Sequence, residues 1–317
     1  MSFFFNVDIT TIEKKIKKYN LEECVQYMNG ASSYEDEIVD MLKNNFNISV
    51  SNENRNVRGL LGNTKQEIDI YLPEYKFGIE FNGDYWHSDI FHMDHRGRSV
   101  FHQDKSLLAE SSGIFLFHIF EYEWNNQKTK EKIIDRLSVI LNKNDVKINA
   151  RDCVVSLITL DEKNKFLEEN HIQGKDMSLY YLALRYNNEI VACMTFKKSK
   201  FKKYNYELSR FCCKRNYVVR GGASKLFKYF LNNYCQKDDV IVSYNDITKT
   251  SGRLYQILNF KMISINSPNY VWINFQTKDI RSRYQEQTSG EIERMHGLGY
   301  HRVCDCGTKT WVYVKEV

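Results

Sequence analysis

The first half of the chain carries apolar residues at two different spacings. Some stretches place them every three to four positions, as on one face of a helix, while others alternate or run continuously, as in strands. The predicted helices cover 11–29, 34–46 and 128–142. The predicted strands cover 67–72, 76–81 and 114–120. Ser32 and Ser33 can cap the second helix, and the almost wholly apolar last strand is typical of a buried central strand.

The second half repeats this alternation of strand and helix spacing. The predicted strands cover 179–186, 189–196, 205–211 and 239–243. The predicted helices cover 162–170, 222–234 and 251–258. The pattern predicts an α/β protein with two α/β units. We divide the chain into an N-terminal helical segment 1–30, a first unit 31–145, a second unit 150–275 and a basic, aromatic C-terminal tail 276–317.

Composition narrows the class of protein further. The chain has 317 residues, of which 42% are hydrophobic, enough for two cores. It has no apolar run near the ~20 residues that span a bilayer and no signal peptide, so we expect a soluble, cytoplasmic protein with no membrane partner. The cysteine spacing does not indicate a disulfide framework. The net charge of +5 permits a polyanionic partner, and the lysine-rich run 197–203 is either a solvated face or a stripe that follows phosphates.

Two acidic residues are predicted to face each other across a hairpin. If Pro73 to Lys76 form the turn, Asp69 lies directly opposite Glu80, with Cβ atoms about 4.5–5.5 Å apart. Two carboxylates about 4 Å apart repel each other by about 3–4 kcal/mol at an effective dielectric constant near 20. Such a pair is either well solvated or holds a cation, and a divalent metal with oxygen ligands fits this geometry.

Further polar side chains are predicted to converge on this pair from other elements. His87 follows a bend at Gly83, directly after the second strand. His102 and Lys105 share a predicted helix, and Glu35 lies near the core-facing side of the helix 34–46. Titratable groups from separate elements that meet at one strand end are typical of an active site.

The stretch from Glu35 to Trp124 resembles the very short patch repair endonuclease branch of the PD-(D/E)XK nucleases, in particular the homing-endonuclease relatives found in phages. The resemblance is carried by Glu35 on a helix, by Asp69 on a strand and by the sequence IEFNGDYWH that ends at His87. It implies a restriction-endonuclease-like core in which Asp69 is the main metal-binding carboxylate. Glu35 would be the helix-borne acid, and His87 the histidine near the scissile phosphate.

Two positions depart from the patterns of these nucleases. The repair enzymes have no acid at the position of Glu80, although Glu80 matches the general nuclease pattern as a second metal ligand beside Asp69. Asn82 stands where that pattern has lysine, so Lys105 or His102 would act as the base. The resemblance thus implies a metal-dependent DNA endonuclease of the homing type. It would use Mg²⁺ or Mn²⁺, bind double-stranded DNA, and be phage-encoded and active in a host cell.

A glycine pair opens the predicted helix 222–234 in the second unit. The loop residues are Arg220, Gly221, Gly222, Ala223, Ser224 and Lys225. Backbone N–H groups at a helix N-terminus bind anions, and this loop resembles the pyrophosphate loop of GNAT acyltransferases. The order of strands and helices around the loop is also similar to that family, and the resemblance implies a GNAT-like α/β domain over 150–275. The loop could bind acyl-CoA or grip a DNA phosphate. The alternatives to an endonuclease are therefore a GNAT-type acyltransferase or DNA-modifying enzyme with an accessory nuclease domain, and a non-catalytic DNA-binding protein.

Overall fold

A computed structural model describes residues 22–62, 64–91, 99–144 and 146–316, with only the backbone described for 22–32. The helices are α1 (Glu22–Phe46), α2 (Phe101–Ser111), α3 (Glu121–Trp124), α4 (Gln127–Ile140), α5 (Leu160–Asn170), α6 (Gly222–Tyr234), α7 (Arg253–Ile257), α8 (Arg283–Glu286) and α9 (Glu291–Gly297). The first strands are β1 (Arg55–Arg58), β2 (Glu67–Leu72), β3 (Phe77–Asn82), β4 (Phe115–Phe120), β5 (Val146–Asn149), β6 (Val154–Leu157), β7 (Tyr180–Tyr186) and β8 (Glu189–Lys198). The remaining strands are β9 (Tyr206–Cys213), β10 (Tyr217–Arg220), β11 (Val240–Asp246), β12 (Lys261–Asn266), β13 (Tyr270–Asn274), β14 (Ile280–Ser282), β15 (Tyr300–Cys304) and β16 (Thr308–Val314).

Helix α1 is longer than the sequence pattern predicts. It runs without a break from Glu22 to Phe46, so Ser32 and Ser33 lie inside it and do not cap its start. The part of the predicted helix 11–29 that precedes residue 22 lies outside the described residues.

The first sheet has the order β1-β2-β3-β4 and packs its apolar face against α1 and α4. Strands β2 and β3 are antiparallel with Ile70 opposite Ile79, the register predicted from the turn at Pro73. Strand β4 was expected to be central, but it lies last in the order, parallel to β3. It is nevertheless buried, because the second unit covers its outer edge: the His118 N–H donates to the Thr248 carbonyl at 3.1 Å.

The second sheet has seven strands in the order β12-β16-β11-β9-β8-β7-β6. Helix α6 packs on it, with Phe230 stacked on Phe196 at 3.5 Å between ring centroids. Strand β16 lies between β11 and β12 and is antiparallel to both. The segment 276–317, interpreted above as a tail, therefore contributes a strand to the inside of this sheet.

A third, small sheet of order β14-β13-β15 is inserted between β12 and β16. It contacts the first unit through an antiparallel bridge between Ser88 and Val303 and through the packing of Phe120 against Ile273 and Val303. Within the described part of the chain, no helix combines the length and the apolar character needed to cross a bilayer.

Candidate functional site

Two parallel strands of the seven-stranded sheet separate along their length. Strands β9 and β11 pair only from Tyr206 to Leu208 and from Ile241 to Ser243. Beyond this point β9 continues to Cys213 along β8, and β11 continues to Asp246 along β16. The facing edges of the two strands therefore open into a gap at their carboxyl ends, where open α/β sheets place their ligands.

A β-bulge accounts for this separation. In the pairing of β8 with β9, Thr195 lies opposite Arg210 and Phe196 lies opposite Leu208, so Ser209 is an extra residue on β9. An extra residue bends the bulged strand and increases its twist. The bulge occurs immediately after Leu208, the last residue of β9 that pairs with β11. It directs β9 away from β11 and thereby opens the gap.

The gap is continuous with two adjoining cavities of about 350 and about 340 Å³. Both cavities are lined by Arg136, His171 and Leu254, so together they form one cleft. Arg136 comes from α4 of the first unit, and its Nε donates to the Lys249 carbonyl at 3.4 Å. The first unit therefore supplies one wall of a cleft whose other walls belong to the second unit.

Positive side chains outnumber negative ones in the lining of this cleft. The cationic residues are Lys132, Arg136, Arg210, Lys214, Lys249 and Arg253, and the acidic ones are Asp135 and Asp246. Burial lowers the pKa of Arg136 and of Arg210. Both guanidinium groups stay charged, because arginine is not deprotonated in proteins. The cleft is suited to an anionic ligand.

The predicted anion-binding loop lies at one end of the cleft. Gly221, Gly222 and Ala223 line the second cavity together with Ser224. Gly221 caps α6 with φ of 74°, a left-handed conformation that favours glycine. The other predicted residue, Arg220, is exposed and does not line either cavity. The loop lysine, Lys225, points elsewhere and donates to the carbonyls of Ala150 and Cys153 at 2.8 and 2.6 Å.

A tyrosine hydroxyl marks the point where the two strands part. The Tyr255 Oη lies 3.0 Å from the Ser243 Oγ, and that Oγ donates to the Leu208 carbonyl at 2.8 Å. The Tyr255 ring stacks on Trp311 with 5.4 Å between centroids. Burial raises the pKa of Tyr255, so its hydroxyl is protonated at neutral pH. This residue was missed in the sequence because a tyrosine on a short helix carries no distinctive pattern.

His171 is neutral and cannot act as a base through Nδ1. Burial, and then the charges of Arg210 and Arg136, lower its pKa to about 3. Its Nδ1 accepts a hydrogen bond from the Gln173 N–H at 3.1 Å, which leaves the proton on Nε2. In the cleft, His171 is therefore a hydrogen-bond donor.

The structure also brings together the polar residues predicted in the first unit. The Asp69 N–H donates to the Glu80 Oε1 at 3.3 Å, and the Phe81 N–H donates to the Asp69 Oδ2 at 2.8 Å. Burial, and then the charge of Asp69, raise the pKa of Glu35, which also accepts a hydrogen bond from Arg55 at 3.4 Å. The predicted grouping of these carboxylates is present, although protein groups already occupy several of their acceptor positions.

Glu80 is held by a lysine in this cluster. The Lys105 ammonium forms a buried ion pair with the Glu80 Oε2. Burial, and then Asp69, raise the pKa of Glu80 to about 8 despite the lysine. The His87 and His102 rings lie 4.9 Å apart between centroids, and the His102 ring contacts the His118 ring at 5.4 Å. Lys105 thus fills the place beside Glu80 at which the sequence predicted a metal ion.

A third histidine, His118, completes the cluster and was not predicted. Its Nε2 lies 2.8 Å from the Ser106 Oγ and its Nδ1 lies 3.2 Å from the Asn82 Nδ2. Burial, and then Lys105 and Lys249, hold its pKa well below the usual value, so the imidazole is neutral. In the sequence, His118 lies inside the apolar run of β4. A single histidine in such a run does not indicate which polar residues it will contact.

Comparisons with known proteins find similarity only among solved structures. No protein-family model and no curated protein matches the chain. A GNAT family acetyltransferase from Elizabethkingia anophelis with acetyl-CoA bound is 14% identical, with 52% of this chain and 99% of that chain covered and a TM-score of 0.32. The ribosomal-protein-S18-alanine N-acetyltransferase of Escherichia coli is 9% identical, with coverage of 52% and 95% and the same TM-score of 0.32. A GNAT family acetyltransferase from Bacillus cereus is 13% identical, with coverage of 52% and 96% and a TM-score of 0.30.

These comparisons correct the leading functional prediction. The similar structures are acetyltransferases, not endodeoxyribonucleases, so the predicted homing endonuclease and its hydrolase chemistry are wrong. The first of them holds acetyl-CoA, and the predicted Mg²⁺ or Mn²⁺ cofactor is wrong as well. The comparisons do not support a PD-(D/E)XK core. They support the GNAT-like part of the prediction. Because TM-scores near 0.3 do not establish a fold, the function proposed below rests on the cleft itself.

Proposed function

We propose that the chain is a GNAT-type acyltransferase that takes an acyl group from an acyl-CoA thioester. The observation that carries this proposal is the cleft between β9 and β11, which has a helix N-terminus at one end and a protonated tyrosine where the strands part. The cationic lining suits a ligand with several phosphates.

The two parts of the cleft match the two parts of acyl-CoA. The first N–H groups of α6 have no acceptor within the helix, so they are available to a pyrophosphate at Gly222 and Ser224. The pantetheine arm is a thin chain with amide groups. The edges of β9 and β11 beyond Leu208 and Ser243 no longer pair with each other and can form hydrogen bonds with such amides. The thioester would then lie near Tyr255.

The reaction needs an acid for the departing thiolate. The acceptor's nucleophile forms a bond to the thioester carbonyl carbon, the C–S bond breaks, and the sulfur takes a proton as CoA leaves. Tyr255 can supply that proton, because its hydroxyl lies where β9 and β11 separate and its raised pKa keeps it protonated. A neutral amine acceptor fits this step, because it loses a proton when the new bond forms and that proton restores the Tyr255 hydroxyl. His171 offers only a hydrogen-bond donor to the cleft.

Acetyl-CoA binding to the full chain tests the proposal. Ser224 is an exposed residue of the first turn of α6, so Ser224→Glu places a negative charge beside the expected pyrophosphate without harming the helix. We expect acetyl-CoA to raise the melting temperature of the wild type and to bind about 10–100-fold more weakly to Ser224→Glu, equivalent to about 1.4–2.8 kcal/mol of repulsion. Glutamine has the size of glutamate but no charge, so Ser224→Gln should bind acetyl-CoA nearly as well as the wild type does.

The control separates charge from shape. Equal losses in Ser224→Glu and Ser224→Gln would mean that the first turn of α6 does not bind the pyrophosphate. If acetyl-CoA leaves the melting temperature of the wild-type chain unchanged at millimolar concentration, the acyltransferase proposal is wrong.

We also propose double-stranded DNA as a partner of this chain. Support comes from the turn between β8 and β9, where Lys200, Lys202 and Lys203 are exposed around Phe201, whose side chain is 57% exposed. Exposed lysines neutralise backbone phosphates, and an aromatic ring between them provides a contact surface for sugar or base. The neighbouring Lys197 is less available, because it pairs with Glu207 at 2.8 Å.

A further inference from the structure

Three potential metal ligands from distant parts of the chain meet beside the small inserted sheet. Asp89 follows the bend after β3, His296 lies on α9, and His301 lies on β15. One ligand atom from each residue lies within 4.8 Å of the others. The His296 Nε2 is 2.9 Å from the Asp89 Oδ2, and the His301 Nδ1 is 3.4 Å from the Asp89 Oδ1.

Among the residues that the structure describes, hydrogen bonds anchor the Asp89 carboxylate through one of its two oxygens. Its side chain is 2% exposed, and the Arg302 Nε donates to Oδ2 at 2.8 Å. Burial alone would raise the pKa of Asp89, but hydrogen bonds from Arg302 and His296 hold it below its ordinary value. The buried Oδ1 accepts no hydrogen bond from the described residues. A charged oxygen that is buried without a hydrogen bond is costly unless another group, such as a cation, binds it.

The two imidazoles are held by packing that leaves their nitrogens directed to the carboxylate. The His301 ring stacks on Phe275 with 5.4 Å between centroids and 3° between planes. The His296 ring contacts Trp272 edge to face at 5.8 Å. Both histidines are partly exposed, so an ion can reach them from solvent. Ligands that are fixed before the ion arrives favour binding.

We propose that Asp89, His296 and His301 bind a divalent transition metal of the zinc type. Two imidazoles and one carboxylate form a common zinc ligand set with a fourth position open to water. Ligand atoms about 2.0–2.1 Å from a tetrahedral ion lie about 3.4 Å apart, and the His301 Nδ1 and the Asp89 Oδ1 are separated by 3.4 Å without a hydrogen bond between them. Arg302 remains on Oδ2 and orients the carboxylate, as an outer partner of a metal ligand does.

This metal would act as a cross-link between chain segments far apart in the sequence. The Asp89 N–H donates to the Arg302 carbonyl at 2.8 Å, and the neighbouring Ser88 forms the bridge to Val303. An ion between Asp89 and the two histidines adds a second connection beside this short backbone contact. Binding to the folded chain alone stabilises that chain by mass action.

The experiment uses the full chain after treatment with a chelator. We expect one Co²⁺ to bind with the intense visible absorption of a tetrahedral site, Zn²⁺ to displace it, and Zn²⁺ to raise the melting temperature. Asp89→Asn and His296→Gln each remove one ligand, and His296 is the most exposed of the three, so its replacement is tolerated by the fold. Each variant should bind Zn²⁺ more than about 100-fold more weakly, a larger loss than removal of an outer partner causes.

A matched control removes a histidine that is not part of this cluster. His171→Gln should keep the wild-type Co²⁺ spectrum and the wild-type Zn²⁺ affinity. The proposal is overturned if the wild type binds neither ion at micromolar concentration. It is equally overturned if Asp89→Asn and His296→Gln, with circular dichroism like that of the wild type, bind Zn²⁺ as tightly as His171→Gln does.

Discussion

A buried carboxyl group should make the stability of this protein fall as the pH rises. Asp84 is 7% exposed, its N–H donates to the Glu121 Oε2 at 3.0 Å, and its Oδ1 accepts from the Tyr122 N–H at 3.3 Å. Burial, and then the Glu121 charge, raise the pKa of Asp84 from 3.8 to about 8. The folded state therefore holds a proton that the unfolded chain releases near pH 4.

The difference between the pKa of Asp84 in the folded and in the unfolded chain determines the sign and the size of the pH effect on stability. Because the folded-state pKa is raised, the contribution of Asp84 is fully present below about pH 4 and is lost as the pH rises through 8. One group of this kind lowers the free energy of unfolding by about 1.4 kcal/mol per pH unit across that window. Between pH 5 and 8 the loss is about 3–4 kcal/mol. Glu80, with a pKa raised to about 8, and Asp305, with a pKa raised to about 7, act in the same direction.

The substitution Asp84→Asn isolates this contribution, since an amide keeps an oxygen for the Tyr122 N–H and does not ionise. We expect urea unfolding at pH 5, 6, 7 and 8 to show a shallower fall in the free energy of unfolding for Asp84→Asn than for the wild type. The two proteins should differ most at pH 8. Asp40→Asn, at an exposed position of α1, is the control and should follow the wild type. Parallel curves for Asp84→Asn and the wild type would refute the reasoning.

Three further predictions concern the acid, the buried ion pair and the basic turn. Tyr255→Phe should lower kcat by about 10²–10⁴-fold with little change in acetyl-CoA affinity; an unchanged kcat in a steady-state transferase assay would exclude the hydroxyl as the acid. Lys105→Met should cost about 3–5 kcal/mol of stability in urea unfolding above pH 8, where Glu80 is charged and is left buried without its cation, and combining it with Glu80→Gln should recover part of that loss; no recovery would argue against the pair. Replacing Lys200 and Lys202 by glutamate should weaken double-stranded DNA binding and reduce its salt dependence by about 0.9 log units per lost contact; an unchanged salt slope in fluorescence anisotropy would exclude this turn.

Elements with a strong local pattern could be predicted from the sequence, because spacing alone determines which residues are buried. The hairpin register that places Asp69 beside Glu80 follows from alternation and from the turn at Pro73, and the structure has the predicted Ile70–Ile79 pair. The helix behind Gly221 begins and ends where the glycine pair and the apolar spacing indicate. These features need only neighbouring residues to specify them.

The features that were missed depend on contacts between distant segments. The bulge at Ser209 exists only relative to the pairing of β8 with β9, and no local pattern marks the extra residue. Arg136 enters the cleft from a helix of the other unit. The function was mispredicted for a related reason: Asp69 and Glu80 were placed correctly, but their nearness alone does not distinguish a metal site from an ion pair with Lys105.

The position of β16 in the second sheet has a consequence for how the chain folds during translation. This strand is formed by residues 308–314, yet it joins β11 to β12 inside the sheet. During translation, β11 and β12 leave the ribosome while the strand that separates them has not yet been made. Until residue 314 emerges, both strands expose unpaired edges, which are prone to pair with other chains. The nascent protein therefore depends on β16 to close the sheet, and a truncation that removes β16 should aggregate rather than yield a smaller folded protein.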